Sequence, residues 1–424
     1  MKCPAIVASL LPNSPYLLNH IFIILRTMTL IETTSDLLAF IEKAKNEPFI
    51  TIDTEFIRET TYWPQLCLIQ VGIKDLSIAI DPLSEDLDLE LFLDFLYDPS
   101  TLKVFHAARQ DLEIFYNLRK AVPTPIFDTQ VAAMVCGYGE SASYESLVES
   151  LAKAKLDKSQ RFTDWSRRPL TNRQIDYALG DVIYLRTVYE KLQKRLDETH
   201  RNDWVSEEIQ FLENPNTYEV IPENQWERIR YRSAKPRMLG ILKEVAAWRE
   251  ITAQKRNVPR GRIIKDETLL EIAAIGPKDI DGLGKLRGLN PTIAKSRMGE
   301  EIIEAVQKGL SLPPDQCPQP KEPLPSPPGM HAALEMLKML LRIKADENQV
   351  AAKLLATSND LETFVRNQGQ NAPFLEGWKL KAFGEDALKI MNGHMGIIYH
   401  KNRIRLIPNP QLTSTPSAEY SIKG

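Results

Sequence analysis

The sequence predicts an α/β core, a mixed sheet flanked by helices, followed by two small all-α modules. Three observations carry this. Strand-like and helix-like runs alternate between Met28 and about Pro215. From Trp226 onward strand patterns nearly vanish. The helical part is then split by LPPDQCPQPKEPLPSPPG, whose eight prolines in eighteen residues read as an extended linker. The expected divisions are 1–27 as an N-terminal extension, 28–215 as the α/β domain, 226–312 as a first helical module, 313–329 as linker, 330–408 as a second, divergent module and 409–424 as a disordered tail.

Taken in order, FITIDTEF, LCLIQVGI, LSIAID, LKVFHA and PIFDT have the composition and period of short strands. The first two lie close enough in sequence for an antiparallel pair, whereas later strands are separated by helices, as parallel crossovers require. TSDLLAFIEKAK, ARQDLEIFYNLRK and TNRQIDYALGDVIYLRTVYEKLQKRL read as helices. In KPRMLGILKEVAAWREITAQKR, Leu239, Leu242, Val245 and Ala246 recur at helical spacing. Beyond the linker, HAALEMLKMLLRIKA, DENQVAAKLLA and SNDLETFVRN read as three helices, the second opened by Asp346 with Gln349 three residues on. Two helical modules of similar length suggest a divergent duplication.

At 424 residues, 43% hydrophobic and 26% charged, the composition is that of a soluble globular protein. A net charge of −3 does not mark the chain as a nucleic-acid binder, so a basic surface must be local. Four scattered cysteines without C-x-x-C spacing argue against a zinc site or disulfide framework and fit a reducing cytoplasm. The first 27 residues are apolar but broken by Pro4, Pro12 and Pro15, and IFIIL is too short to span a bilayer. They read as a poorly ordered extension, or as an upstream start with Met28 opening the folded part.

Asp53 and Glu55 lie two apart on the first strand, so they share a face. Carboxylates that close raise each other's pKa unless a cation sits between them. Asp111 stands just inside a helix that follows a strand, and Tyr177 and Asp181 are four apart on a long helix, hence on one helical face. Each fragment alone also reads as ordinary surface or capping chemistry. The ordered set is more specific. Acids converging on one point need metal, and hard oxygen donors suit Mg²⁺ or Mn²⁺. Two such ions about 4 Å apart clamp a phosphodiester, one activating water and the other stabilising the leaving oxygen. No D-x-D-x-D-G calcium loop occurs.

IDTEFIRETTYWPQLCLIQ, HAARQDLEIF, FDTQVAAMV and DWSRRPLTNRQIDYALGDVIYL resemble the ribonuclease D family, 3′→5′ exoribonucleases named for their Asp-Glu-Asp-Asp acids with a tyrosine in the last motif. The resemblance spans Met28 to about Leu312. It implies a ribonuclease H-like exonuclease core, two divalent metal ions (Mg²⁺ or Mn²⁺) and release of nucleoside 5′-monophosphates. The family's metal acids fall on Asp53, Glu55, Asp111 and Asp181, and its water-orienting tyrosine on Tyr177. RNVPRGRIIKDETLLEIA resembles the helicase-and-RNase-D C-terminal (HRDC) module, and the second module matches it more loosely. RNA, with precursor tRNA 3′ ends the class its relatives suggest, is the implied partner, without membrane contact.

Around these acids, His106 reads as a contact to the terminal nucleotide or as a structural histidine at a strand end. Phe56, Tyr62 and Trp63 read as stacking surfaces for terminal bases, or, for the latter two, as the start of the second strand. Arg161, Arg167 and Arg168 read as phosphate ligands or as a solvated basic loop. Asp128 reads as a helix N-cap, and Gln70 as a core residue. Residues 226–265 hold twelve Lys/Arg against three Asp/Glu, a candidate phosphate-binding face. A DNA exonuclease on the same fold, and a catalytically silent RNA-binding adaptor, stand as alternatives.

Overall fold

A computed structural model describes residues 29–157, 159–320 and 328–409. The expectations for the N-terminal extension, part of the proline-rich linker and the tail beyond Asn409 lie outside the described residues. The chain divides into two compact units, 1–57 with 66–132 and 142–199, and 58–65 with 133–141 and 200–424. Among the described residues no helix is long and apolar enough to cross a membrane.

The first unit is built on a six-stranded sheet. Its elements are β1 (Leu30–Ile31), α1 (Thr34–Ala44), β2 (Phe49–Ile57), β3 (Gln65–Ile73), β4 (Leu76–Ile80), α2 (Leu89–Leu96), β5 (Leu102–Phe105), α3 (Arg109–Arg119), β6 (Ile126–Asp128), α4 (Thr129–Val135), α5 (Tyr144–Leu147) and α6 (Asn172–Thr199). Strand order is β1-β4-β3-β2-β5-β6. β3 and β4 pair antiparallel across a two-residue turn, while β1–β4, β2–β5 and β5–β6 are parallel. β2 is central and covered on both faces, so its first four residues are all buried, the run expected of a strand within a covered sheet.

Helix α6 closes one face of that sheet. Its start is a capping box. The Thr171 hydroxyl accepts from the Gln174 backbone N–H (3.3 Å), and the Gln174 side chain accepts from the Thr171 N–H (3.0 Å). Ala178, Val182, Leu185, Val188, Leu192 and Leu196 then form its buried stripe. The helix seats close because Gly72 has no side chain: a Cβ there would lie 2.4 Å from Thr51 Oγ1. That hydroxyl instead donates to the Val182 carbonyl at 2.9 Å. A tight glycine thus fixes the height of α6 over β2.

The second unit holds both helical modules. α7 (Asn202–Glu213) precedes α8 (Pro236–Arg256), α9 (Asp266–Ile275) and α10 (Arg297–Ser311). Leu239, Leu242, Val245 and Ala246 are fully buried against Leu269, Ile272, Ile302 and Val306. The linker's first residues are described, and Cys317 is buried; its sulfur would lie 3.2 Å from a Cβ at Gly240.

α11 (Met330–Asn348), α12 (Ser358–Arg366) and α13 (Glu385–Met391) follow, packed around Phe364, Phe374 and Phe383, whose successive ring centroids are 4.9 Å apart. Both modules open alike. α8 stops at Asn257 (φ 49°) and α11 at Gln349 (φ 51°), each followed by a one-turn helix and then a longer one.

Two expectations are corrected. Asp346 and Gln349 do not open a helix: Asp346 is in the last turn of α11 and Gln349 is its left-handed cap, because the apolar stripe of the first run carries the helix past the apparent start. The second module is also not all-α. It ends in an antiparallel ribbon, β7 (Met395–His400) and β8 (Arg403–Pro408). The two-residue turn is Lys401-Asn402, both at positive φ (50° and 59°), as the tight hairpin turn with matching twist requires.

Candidate active site

Three elements of the first unit deliver the four acids. Asp53 and Glu55 lie on the C-terminal half of β2, Asp181 on α6 and Asp111 in the first turn of α3. Asp53, Glu55 and Asp181 each offer a carboxylate oxygen within 4.8 Å of the others. Asp111 is buried and stands outside this trio, its Oδ1 accepting from the Thr54 hydroxyl at 2.5 Å. Asp53 is near enough that its charge bears on Asp111.

The electrostatics are those of an uncompensated cluster. Burial, then the Asp181 charge, holds Asp53 well above the usual carboxylate range. Burial pushes Glu55 up to about 9, with Asp53, Asp181 and Asp111 adding to it. Burial alone lifts Asp181 to about 7, and burial followed by Asp53 raises Asp111. None of the four forms an ion pair with a lysine or arginine among the described residues. The donor chemistry therefore fits a hard divalent cation: several carboxylate oxygens, no competing cation, and a strain that positive charge would relieve.

Tyr177 lies one helical turn before Asp181. Its phenol is raised by burial, then by Asp181, Glu55 and Asp53, and lowered by Arg161. The ring is 6.0 Å from that of Trp165, centroid to centroid, and belongs to the cluster of Cys67, Leu68, Leu170 and Leu179. A hydroxyl on a packed, half-buried ring is a fixed donor or acceptor beside the acids.

The expected substrate contacts fare differently. Phe56 is half-buried at the end of β2. His106 is half-buried, its Nδ1 3.0 Å from the Thr129 hydroxyl and its ring against Tyr144. Burial lowers its pKa. Tyr62 belongs to neither a strand nor a free surface. It is buried in the helical core of the second unit, where its hydroxyl donates to Glu250, so it has no face for a base. Trp63 packs edge-on against Tyr62, and both backbone N–H groups donate to Asn257 Oδ1 at 3.1 and 3.0 Å. Arg168 is a structural clamp, binding buried Asp81 at 2.5 and 2.7 Å and the Cys67 carbonyl at 2.7 Å. Arg167 is exposed and pairs with Asp164 at 3.3 Å. Arg161 is exposed beside Phe162, itself 93% exposed.

Two neighbours escaped the sequence reading. Thr54 was overlooked because alternation puts it on the other face from Asp53, yet it hydrogen-bonds Asp111. Tyr144 begins α5 behind the Ser143 cap, and its hydroxyl donates to the Gly180 carbonyl at 3.1 Å. Burial, then Asp181 and Asp53, raises its phenol. Only tertiary folding brings it there. Asp128 does more than cap α4: its carboxylate accepts from Gln130 N (2.7 Å) and also from Ala107 N (3.1 Å) and Ala108 N (2.9 Å), bracing the entry to α3.

Comparison with known proteins agrees with this geometry. A family model described as 3′-5′ exonuclease matches residues 28–197, and one described as HRDC domain matches residues 238–306. Ribonuclease D of Gluconacetobacter diazotrophicus is 45% identical over 379 residues, covering 89% of this chain and 96% of that one. Ribonuclease D of Nitrobacter hamburgensis is 44% identical over 377 residues, covering 89% and 98%. The crystal structure of Escherichia coli RNase D, described as an exoribonuclease involved in structured RNA processing, superposes with a TM-score of 0.75 at 31% identity, covering 86% of this chain and 99% of that one. An acid cluster of nuclease type, on an exonuclease sheet followed by an HRDC module, places this chain in the ribonuclease D family of 3′→5′ exoribonucleases.

Proposed function

We propose that this enzyme trims the 3′ ends of structured RNA in the cytoplasm, with precursor tRNA as its substrate class, and that it works with two divalent ions, Mg²⁺ or Mn²⁺. The observation that carries the reading is the convergence of Asp53, Glu55 and Asp181 within 4.8 Å without a balancing cation. In this reading Asp53, Glu55, Asp111 and Asp181 would hold the ions between them, with Asp111 positioned by its hydrogen bond from Thr54. Ions bound there would activate the attacking water and stabilise the leaving 3′ oxygen. Tyr177, held by Trp165, orients that water from one turn along α6. Arg161, whose positive charge bears on Tyr177, would meet the phosphate of the terminal nucleotide. Residues 330–408 form a second, divergent HRDC-like domain, supported by the matching caps at Asn257 and Gln349.

The test is a 5′-labelled RNA time course with Mg²⁺, Mn²⁺ or chelator, run beside a DNA strand of the same sequence. One-nucleotide ladders shortening from the 3′ end, dependent on metal and lost in Asp53→Asn, are expected. Endonucleolytic products, or full activity in Asp53→Asn, would refute the residue assignment.

A further inference from the structure

The β7–β8 ribbon has no part in the site above. Its register is Ile397↔Leu406, Ile398↔Arg405, Tyr399↔Ile404 and His400↔Arg403. Because strand side chains alternate, the two faces differ. One carries Ile397, Tyr399, Ile404 and Leu406. The other carries Ile398, His400, Arg403 and Arg405. The turn adds Lys401. Lys401, Arg403 and Arg405 are all exposed, and none forms an ion pair among the described residues. From Ala387 to Ala418 the sequence contains no Asp or Glu, in a chain with 56 of them and a net charge of −3.

We propose that this ribbon is an RNA-binding arm whose basic face grips the phosphate backbone, additional to the site that receives the 3′ end. The proposal rests on RNA being the substrate. Exposed cations gathered on a two-stranded ribbon repel one another and pair with no acid among the described residues, so a polyanion is their complementary partner. Arg403 and Arg405 lie two apart on one strand, hence about 7 Å apart, comparable to the step between successive phosphates of a nucleic-acid strand. The competing account is that these charges merely keep the ribbon's edges from pairing with other strands. Glutamates at the same positions would serve that purpose equally well, which makes charge reversal decisive.

The experiment uses the full chain with chelator, so that no RNA is cut, and a fluorescent RNA hairpin with a single-stranded 3′ tail. Binding is titrated across salt for wild type, R403E/R405E and a control, K43E/K74E, with the same change in net charge at exposed positions of the first unit. The ribbon variant is expected to bind at least about tenfold more weakly at low salt, with the slope of log K against log salt flattened by roughly 1.4–1.8. The control is expected to stay close to wild type. Unchanged affinity and slope in the ribbon variant, or an equal loss in the control, would overturn the proposal. So would loss of self-association in sedimentation with RNA binding intact, which would give the ribbon to a second copy of the chain. Because binding is read without cleavage, a wild type that cut no RNA would count against the functional reading and leave this comparison intact.

Discussion

Each unit buries carboxylates, and the contrast between them separates chemistry from scaffold. In the second unit Glu250 is fully buried in the helical core, but it is answered: Tyr62 donates to it and the Arg260 guanidinium lies 3.6 Å away. Buried Arg249 is likewise answered by Asp266 at 2.7 Å and the Ile264 carbonyl at 3.0 Å. In the first unit Asp53, Glu55 and Asp181 have chiefly one another. A protein seldom leaves desolvated charges unpaired for stability's sake, even half-buried ones; doing so in one place and not the other marks where an external cation is expected.

Deleting an acid should therefore have opposite consequences in the two regions. Asp53→Asn is expected to lower the exonuclease rate by about 10³-fold or more, as loss of a metal-positioning group does, while leaving metal-free thermal stability equal or higher. A destabilised Asp53→Asn protein would contradict the picture of mutual repulsion. Glu250→Ala should do the reverse. It strands the Tyr62 hydroxyl and the Arg260 charge in a packed core, at a cost of about 3 kcal/mol, read as a lower midpoint in urea. Glu250→Gln, which keeps an acceptor for Tyr62, should recover much of that loss. A smaller effect is expected at Tyr177. Phenylalanine keeps the packing on Trp165 and removes only the hydroxyl, so kcat should fall about 10²-fold with KM little changed and the melting temperature preserved.

The same contrast explains what the sequence made legible. The acid set could be read because its spacing follows strand and helix periods, two residues on β2 and four on α6, and because those periods survive folding. Helix α8 was legible for the same reason, its apolar stripe being long and regular. Tyr62 was misread because its partner Glu250 lies 188 residues away, and local pattern carries no trace of such a pairing. Tyr144 and the double duty of Asp128 were hidden likewise, each depending on which loop folds over which strand end. The β7–β8 ribbon was missed because GIIYHKNRIRLIP is short, basic and placed after a run of helices. Its alternation is visible only once the Lys401-Asn402 turn is recognised. Arg168 shows the converse, a charge that looks available in sequence and is committed to Asp81 in the fold.

The remaining prediction concerns pH, and its sign follows from the direction of the shifts. Glu55 sits at about 9 in the fold against an ordinary 4.5, and Asp181 at about 7 against 3.8. Between those limits the folded, metal-free protein retains protons that the unfolded chain has released. Stability from these groups is therefore greatest at low pH and declines as pH rises toward 9. A divalent cation replaces those protons, so its binding releases them and its stabilising effect should grow with pH. Thermal melts from pH 5 to 9, with chelator and with Mg²⁺, would show the two curves diverging toward alkaline pH in the wild type. Glu55→Gln removes the most displaced of these titrations and should narrow the divergence. Because other groups titrate in the same range, the quantity that decides is the difference between the two proteins. If it stays constant across the range, Glu55 is not held protonated by its neighbours, and the distinction between an unanswered acid cluster and an answered one fails at its most sensitive residue.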